Sequence, residues 1–187
     1  MIEPVLARRI KLVGFDVDGV FTDGGLYMGS SRGETIEMKR FQSQDGLGIH
    51  LLRQAGLRIA LVSGRTAEAT AIRARDLQIE DVVQDTTGLG NKLVPFEALI
   101  ARHGVKLEEC AFVGDDIPDL PVMRQVGLPI AVANAAAEVK EAAAHTTVAR
   151  GGHGAVREAV EALLTARGVW TKTVQAYLKE RGDAPRR

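Results

Sequence analysis

The residues of this chain best equipped for chemistry are carboxylates. Asp16 and Asp18 lie two apart in Asp16-Val17-Asp18-Gly19-Val20, at the end of the apolar run that starts at Ile10. Residues i and i+2 share a face only while a strand continues. Here the strand is ending, so a tight turn can bring both carboxylates to one pocket. Two carboxylates that close resist joint ionisation unless a cation sits between them or their roles differ. One can attack as a nucleophile while its neighbour moves a proton. A second acidic group, Gly114-Asp115-Asp116-Ile117-Pro118-Asp119, places three carboxylates in five residues. They would repel strongly unless they hold a hard cation or pair with a lysine. Mg²⁺ suits such a group, because it takes one or two carboxylates, waters and a phosphate oxygen.

Two groups of opposite character complete the set. Ser63-Gly64-Arg65 follows a second apolar run from Leu57. A hydroxyl and backbone N–H groups at a helix start make an anion site, although Ser63 could equally cap that helix. Lys92 falls in the first turn of a helical pattern, a point charge suited to phosphate.

The surrounding pattern explains how these groups could converge. Apolar strands are expected at Ile10–Val17, Leu57–Ser63, Val82–Val83, Glu109–Gly114, Leu128–Val132 and Thr146–Ala149. Helical spacing is expected at Asp45–Gln54, Thr66–Leu77, Asn91–His103, Pro118–Gln125, Glu138–Ala144 and Gly154–Ala166. Strands alternating with helices predict βαβ units and an α/β fold on a parallel sheet. Ligands of such sheets bind at the carboxyl ends of the strands, where the polar groups stand. One stretch, 24–41, breaks the alternation. Leu26, Met28, Ile36 and Met38 alternate with polar residues about Gly29-Ser-Ser-Arg-Gly33, which predicts a β-hairpin with a longer glycine-containing loop, serving as a surface hairpin, a flap or an oligomer contact.

Composition narrows the field. Lys+Arg and Asp+Glu both number 24, so bulk positive charge does not recruit a nucleic acid. A single cysteine, Cys110, excludes an internal disulfide and suggests a reducing compartment, the cytoplasm. No apolar run approaches the roughly 18 residues of a membrane span, and Met1–Lys11 lacks a signal-peptide core. The length of 187 residues predicts one domain, 1–187. Residues 170–187 carry five basic against two acidic side chains, as a solvated tail or, through Val174, Tyr177 and Leu178, a docking segment that could reach a neighbour's site.

Taken together, Asp16-x-Asp18-Gly19-Val20, Ser63, Lys92 and Gly114-Asp115-Asp116-x-x-Asp119 resemble the haloacid dehalogenase superfamily of phosphohydrolases. The resemblance implies a Rossmann-like, doubly wound sheet and an aspartyl-phosphate intermediate. It implies that Asp16 is the nucleophile and Asp18 the general acid/base. Ser63 and Lys92 would hold the phosphoryl group. Asp16, Asp115 and the Asp18 main chain would hold Mg²⁺, with Asp116 and Asp119 in support. An acid at position 18 favours hydrolysis over dehalogenation or ion pumping.

Members of this superfamily usually carry a cap domain. Here 44 residues separate Asp18 from Ser63 and 26 separate Arg65 from Lys92, and neither gap holds one. The stretches Lys39-x-Phe41-x-x-x-Asp45-Gly46-x-Gly48-Ile49, Arg73-Ala74, Asn91-Lys92 and Gly151-Gly152-x-Gly154-Ala155-Val156-Arg157-Glu158 resemble the capless family acting on 3-deoxy-D-manno-octulosonate 8-phosphate in lipopolysaccharide precursor synthesis. That resemblance implies a Mg²⁺-dependent homotetramer, with each site completed by a neighbour. It also implies substrate contacts from Gln42, Ser43, Gln44, Asp45, Gly46, Gly64, Arg65, Arg73, Lys92 and Asp119. Arginine forks suit the carboxylate of a sugar acid phosphate. His50 and His153 depart from the family, which often has Arg or Lys there. Phosphatases of nine-carbon sugar acids and a non-catalytic protein on the same scaffold remain the alternatives, with Arg65 favouring the eight-carbon compound. A signalling receiver domain orders its acidic, hydroxyl and lysine groups differently.

Overall fold

The computed structural model describes residues 1–85 and 90–183; Arg186 and Arg187 of the charged C-terminal stretch lie outside the described residues. In chain order the elements are α1 (Pro4–Arg9), β1 (Leu12–Phe15), β2 (Tyr27–Ser31), β3 (Glu34–Met38), α2 (Ser43–Gln54), β4 (Arg58–Ser63), α3 (Glu68–Asp76) and β5 (Asp81–Gln84). Then come α4 (Leu93–Arg102), β6 (Cys110–Gly114), α5 (Leu120–Met123), β7 (Leu128–Ala131), α6 (Ala137–Ala142), β8 (His145–Thr146), α7 (Ala155–Ala166) and α8 (Trp170–Glu180).

Among the described residues, six strands form a parallel sheet in the order β5-β4-β1-β6-β7-β8. The chain winds outward from β1 through β4 to β5. It then returns to the other side of β1 and winds outward again. The direction reverses between β1 and β6, and the crevice for a ligand opens at such a switch point. Helices α1, α2, α7 and α8 pack together, as do α4, α5 and α6.

Burial explains the strands. All four residues of β1 and all five of β6 are buried, as central strands covered on both faces must be. Edge-to-face pairs Phe15–Phe21 and Phe96–Phe112, with ring centroids 5.4 and 5.5 Å apart, fill the centre. Phe21 thereby anchors the loop that carries Asp16 and Asp18. On α7, Val156, Val160, Leu163 and Leu164 form the buried stripe expected from the sequence.

Three expectations are corrected. The hairpin closes through a two-residue turn, not a longer loop. Ser31 pairs with Glu34, and Arg32 and Gly33 have φ of +51° and +83°. Two consecutive positive φ angles give the turn whose twist matches the strands. The last strand is two residues, because His145–Thr146 alone pairs with β7. Residues 170–180 are helix α8 rather than a solvated tail, and of the expected docking residues Tyr177 meets this chain itself. Tyr177 packs edge-to-face on His50 at 5.4 Å, and Arg157 lies 5.1 Å over the Trp170 ring.

Candidate active site

Asp16 directly follows β1, and its N–H donates to Val113 O on β6 at 2.9 Å. Its carboxylate is buried. Oδ1 lies 2.7 Å from Lys92 Nζ, and the same ammonium is 2.7 Å from Asp119 Oδ1. Lys92 is the N-cap residue of α4, just before the first turn in which its spacing placed it. Asp119 commits its other oxygen to the loop after β6, accepting from Asp115 N at 2.9 Å and Asp116 N at 3.2 Å. Lys92 and Asp119 thus bind the ends of β1 and β6 to the start of α4.

The charges are crowded. Burial, then Asp119, push the Asp16 carboxyl well above the usual range, with Asp115 adding and Lys92 opposing. Burial, then Asp119, push Asp115 up to about 6. Burial works against the charge on Lys92, but Asp16 and Asp119 outweigh it and raise its pKa. Lys92 therefore stays protonated.

One positive charge does not balance this cluster. A carboxylate oxygen from each of Asp16, Asp115 and Asp119 lies within 4.8 Å of the others. Asp115 Oδ1 is buried without a hydrogen-bond partner among the described residues. An orphaned oxygen among raised carboxyls fits a hard divalent cation such as Mg²⁺. Asp116 does not join them. Its exposed carboxylate caps the turn Ile117–Asp119, accepting from Ile117 N at 2.8 Å.

A pH dependence follows. An Asp115 pKa raised to about 6 means that its charged form costs stability in the metal-free protein. That cost is present above pH 6 and disappears as pH falls towards the unfolded value of about 3.9. Metal binding must displace the proton, so affinity for Mg²⁺ declines below pH 6. The rise in melting temperature on adding Mg²⁺ should be large at pH 7.5 and smaller at pH 5.5, as differential scanning fluorimetry against EDTA would show.

Two glycines set the loop geometry. Gly19 has φ +95°, and a Cβ there would lie 2.0 Å from Asp115 Oδ2. Only glycine admits both that conformation and that approach. Behind it, a Cβ on Gly151 would lie 1.7 Å from Gly19 O, backbone against backbone. Asn134 joins the two loops, donating to Gly19 O at 3.1 Å and accepting from Gly151 N at 2.6 Å. Gly151→Ala should lower stability by about 3 kcal/mol, the upper end of overpacking costs. That corresponds to a melting temperature roughly 6–12 °C lower, measurable by calorimetry.

Ser63 is buried at the end of β4. Its hydroxyl donates to Arg65 O at 2.9 Å and accepts from Arg65 N at 3.2 Å, closing the turn that presents Gly64. The Arg65 guanidinium pairs with Glu37 of the hairpin at 3.0 Å. Arg73 pairs with Asp76 and lies 5.6 Å over the Phe41 ring, and its Nη2 is 3.0 Å from where a Cβ on Gly46 would be. Gln42, Ser43 and Gln44 stand at the N-terminus of α2, where Gln42 Oε1 accepts from Ser43 N at 2.9 Å. Asp45 does not face the cluster. It is fully buried, and its Oδ1 accepts from Arg157 N at 2.8 Å, so it docks the start of α7 against α2. Burial pushes its carboxyl up against the pull of the Arg157 and Gly154 amides.

The two histidines also find structural places. His50 lies under Tyr177 of α8. His153 Nδ1 is 2.9 Å from Gly151 O, and Nε2 is 3.4 Å from Arg40 Nη1 at the hairpin root. The sequence reading gave no role to Lys39 or Asn134. Lys39 Nζ lies 2.7 Å from Asp18 Oδ1 and 2.9 Å from Oδ2. It stands two residues from Phe41 in a quoted stretch, but its partner is visible only in three dimensions.

Known proteins carry the same pattern. Residues 86–158 match the model of the haloacid dehalogenase-like hydrolases. The 3-deoxy-D-manno-octulosonate 8-phosphate phosphatase of Escherichia coli K12 is 41% identical over 162 residues, covering 87% of this chain and 83% of that one. The Yersinia pestis phosphatase of that name is 41% identical over 160 residues, 86% and 82% of the two chains. A crystal structure of the Moraxella catarrhalis phosphatase, in complex with magnesium ion, phosphate ion and KDO, superposes with a TM-score of 0.86 at 35% identity, covering 93% of this chain and 97% of that one. The cobalt-bound Haemophilus influenzae phosphatase gives 0.82 at 38% identity, covering 92% and 99%. Identity of this extent, over nearly the whole of both chains and with the acidic cluster in place, leaves one conclusion. The chain belongs to the haloacid dehalogenase-like hydrolases and, among them, to the family of 3-deoxy-D-manno-octulosonate 8-phosphate phosphatases.

Proposed function

We propose that this protein hydrolyses 3-deoxy-D-manno-octulosonate 8-phosphate to the sugar acid and phosphate. The observation that carries this reading is the pairing of buried Asp16 and Lys92 beside a partly exposed Asp18 at the switch point of the sheet. Asp16 is the nucleophile. One of its oxygens bonds to phosphorus as the bond from phosphorus to the sugar oxygen breaks, and Asp18 gives its proton to that oxygen. In the second half Asp18 takes a proton from water. The water oxygen bonds to phosphorus, the bond to Asp16 breaks, and phosphate leaves. Lys92, Ser63 and the Gly64 turn hold the phosphoryl oxygens. When bound, Mg²⁺ screens the anionic nucleophile from the anionic phosphate, held by Asp16, Asp115 and the Asp18 main chain. Asp119 positions Lys92. Arg65, Arg73 and, at the start of α2, Gln42, Ser43, Gln44 and Gly46 face the sugar acid, while buried Asp45 supports them from below.

Phosphate release, followed with and without EDTA, tests the reading. Octulosonate 8-phosphate should be cleaved only with Mg²⁺, and faster than a nine-carbon sugar acid 9-phosphate. No release from either compound, or preference for the longer one, overturns it.

The protein works as a homotetramer in which a neighbour's hairpin closes each site. Supporting this, Ile36 and Met38 of β3 are 42% and 58% exposed, and with Ile72 of α3 they line an open groove of about 540 Å³. An uncapped phosphatase would leave its reacting groups to bulk water. Changing Ile36 and Met38 together to Ser should yield smaller species in sedimentation and a tenfold or greater loss of turnover, in line with the roughly 10²-fold cost of a misplaced group. A monomer with full activity contradicts the assembly. The buried free thiol of Cys110 is in keeping with work in the cytoplasm, in lipopolysaccharide precursor synthesis.

A further inference from the structure

We propose that Lys39 is a positioning residue that holds Asp18 for proton transfer; the proposal rests on the phosphatase reading above. Strand β3 ends at Met38, and Glu37 and Lys39, on either side of it, turn their side chains to one another. The pair faces the protein's own site. Lys39 Nζ reaches both oxygens of Asp18, at 2.7 and 2.9 Å, and has Thr70 Oγ1 at 3.3 Å and Glu37 Oε1 at 3.7 Å. Its side chain is 1% exposed, while that of Asp18 is 25% exposed. A substrate can therefore touch the Asp18 side chain, while that of Lys39 is covered.

The geometry is that of a clamp. Among the described residues, Lys39 supplies the only hydrogen bond to the Asp18 carboxylate. Without it the carboxylate can rotate about two side-chain bonds in a solvent-facing position. Thr70, fully buried on α3, fixes the other side of the ammonium. Glu37 extends the row, because its Oε2 lies 3.0 Å from Arg65 Nη2. The hairpin thus holds one residue of the β1 loop and one of the β4 loop with a single face. Seating of the hairpin and aim of the proton donor are one event.

Leaving groups separate positioning from general damage. A sugar alkoxide must be protonated as it departs, whereas 4-nitrophenolate leaves unaided. The ratio kcat/KM reports steps only through that departure. Lys39→Met should lower kcat/KM for octulosonate 8-phosphate by about 10²-fold, the scale of a misplaced or lost general acid. For 4-nitrophenyl phosphate the fall should stay within roughly threefold. Thr70→Val, nearly isosteric, should show the same selective loss at about three- to tenfold. Equal loss on both substrates in both variants, or no loss on the sugar phosphate, overturns the proposal. Should wild-type protein ignore octulosonate 8-phosphate yet cleave another primary alkyl phosphate, the substrate assignment fails, and the same ratio, read on that compound, decides the role of Lys39.

Discussion

Asp16→Asn should release phosphate about 10⁴-fold or more slowly than wild type, the scale at which loss of a covalent nucleophile is felt. The amide keeps an oxygen for Lys92, so the packing about the 2.7 Å contact survives. Stability separates this loss from unfolding. Burial, Asp119 and Asp115 all disfavour the Asp16 charge, and Lys92 alone favours it. Removing that charge should leave the metal-free variant melting no lower than wild type. An Asp16→Asn protein that turned over normally would move the nucleophile elsewhere. One that was inactive but markedly less stable would mark Asp16 as a structural residue.

Lys92→Met should carry the largest combined penalty. The ammonium is buried and touches Asp16 and Asp119 at 2.7 Å each. Removing one partner of a buried charge pair costs about 3–5 kcal/mol, because the other charges stay behind. For a chain of this size that lowers the melting temperature by roughly 6–20 °C. The sign of its pH dependence is fixed. The orphaned carboxylates can take up protons in acid but not in base, so the deficit against wild type should be smaller at pH 5.5 than at pH 8. Activity should fall at least 10²-fold, since a fixed charge on the phosphoryl oxygens is lost. Melting curves at the two pH values and a phosphate-release assay check both halves. Equal deficits at the two pH values would show that Lys92 is not balancing carboxylates.

The strand ends were legible because they are written in residue type. Buried apolar runs that stop at Asp16, Ser63 and Gly114 announce both the sheet and the strand ends where its polar groups gather. Strand order was less legible, since nothing in β1 says that β4 and β6 will flank it. Helix α8 was hidden for a different reason. Tyr177 stood out in the stripe, but Trp170–Glu180 buries little beyond Thr173 and docks through rings and charges, Arg157 on Trp170 and His50 on Tyr177, so neither the helix nor its target was legible. Helix α1 is only six residues with a proline at its start. Asp45 and Asp116 show the limit of type and spacing. Both are carboxylates in promising stretches, yet one is fully buried against the α7 amides and the other caps a turn. Lys39 was hidden because its meaning lies in Asp18, across the hairpin.

The central place of β1 has a consequence for biosynthesis. Leu12 pairs with Arg58 on one side and Cys110 on the other. The ribosome makes β1 first, and β6 emerges about 5–20 s later at roughly 5–20 residues per second. Through that interval an entirely apolar strand has at least one open edge, the state most prone to pair with another nascent chain. The acidic cluster cannot form until the same moment, because Asp115 and Asp119 follow β6. Closure of the sheet and assembly of the metal site are thus a single late step, and slow translation or a shortage of chaperones should be felt there first.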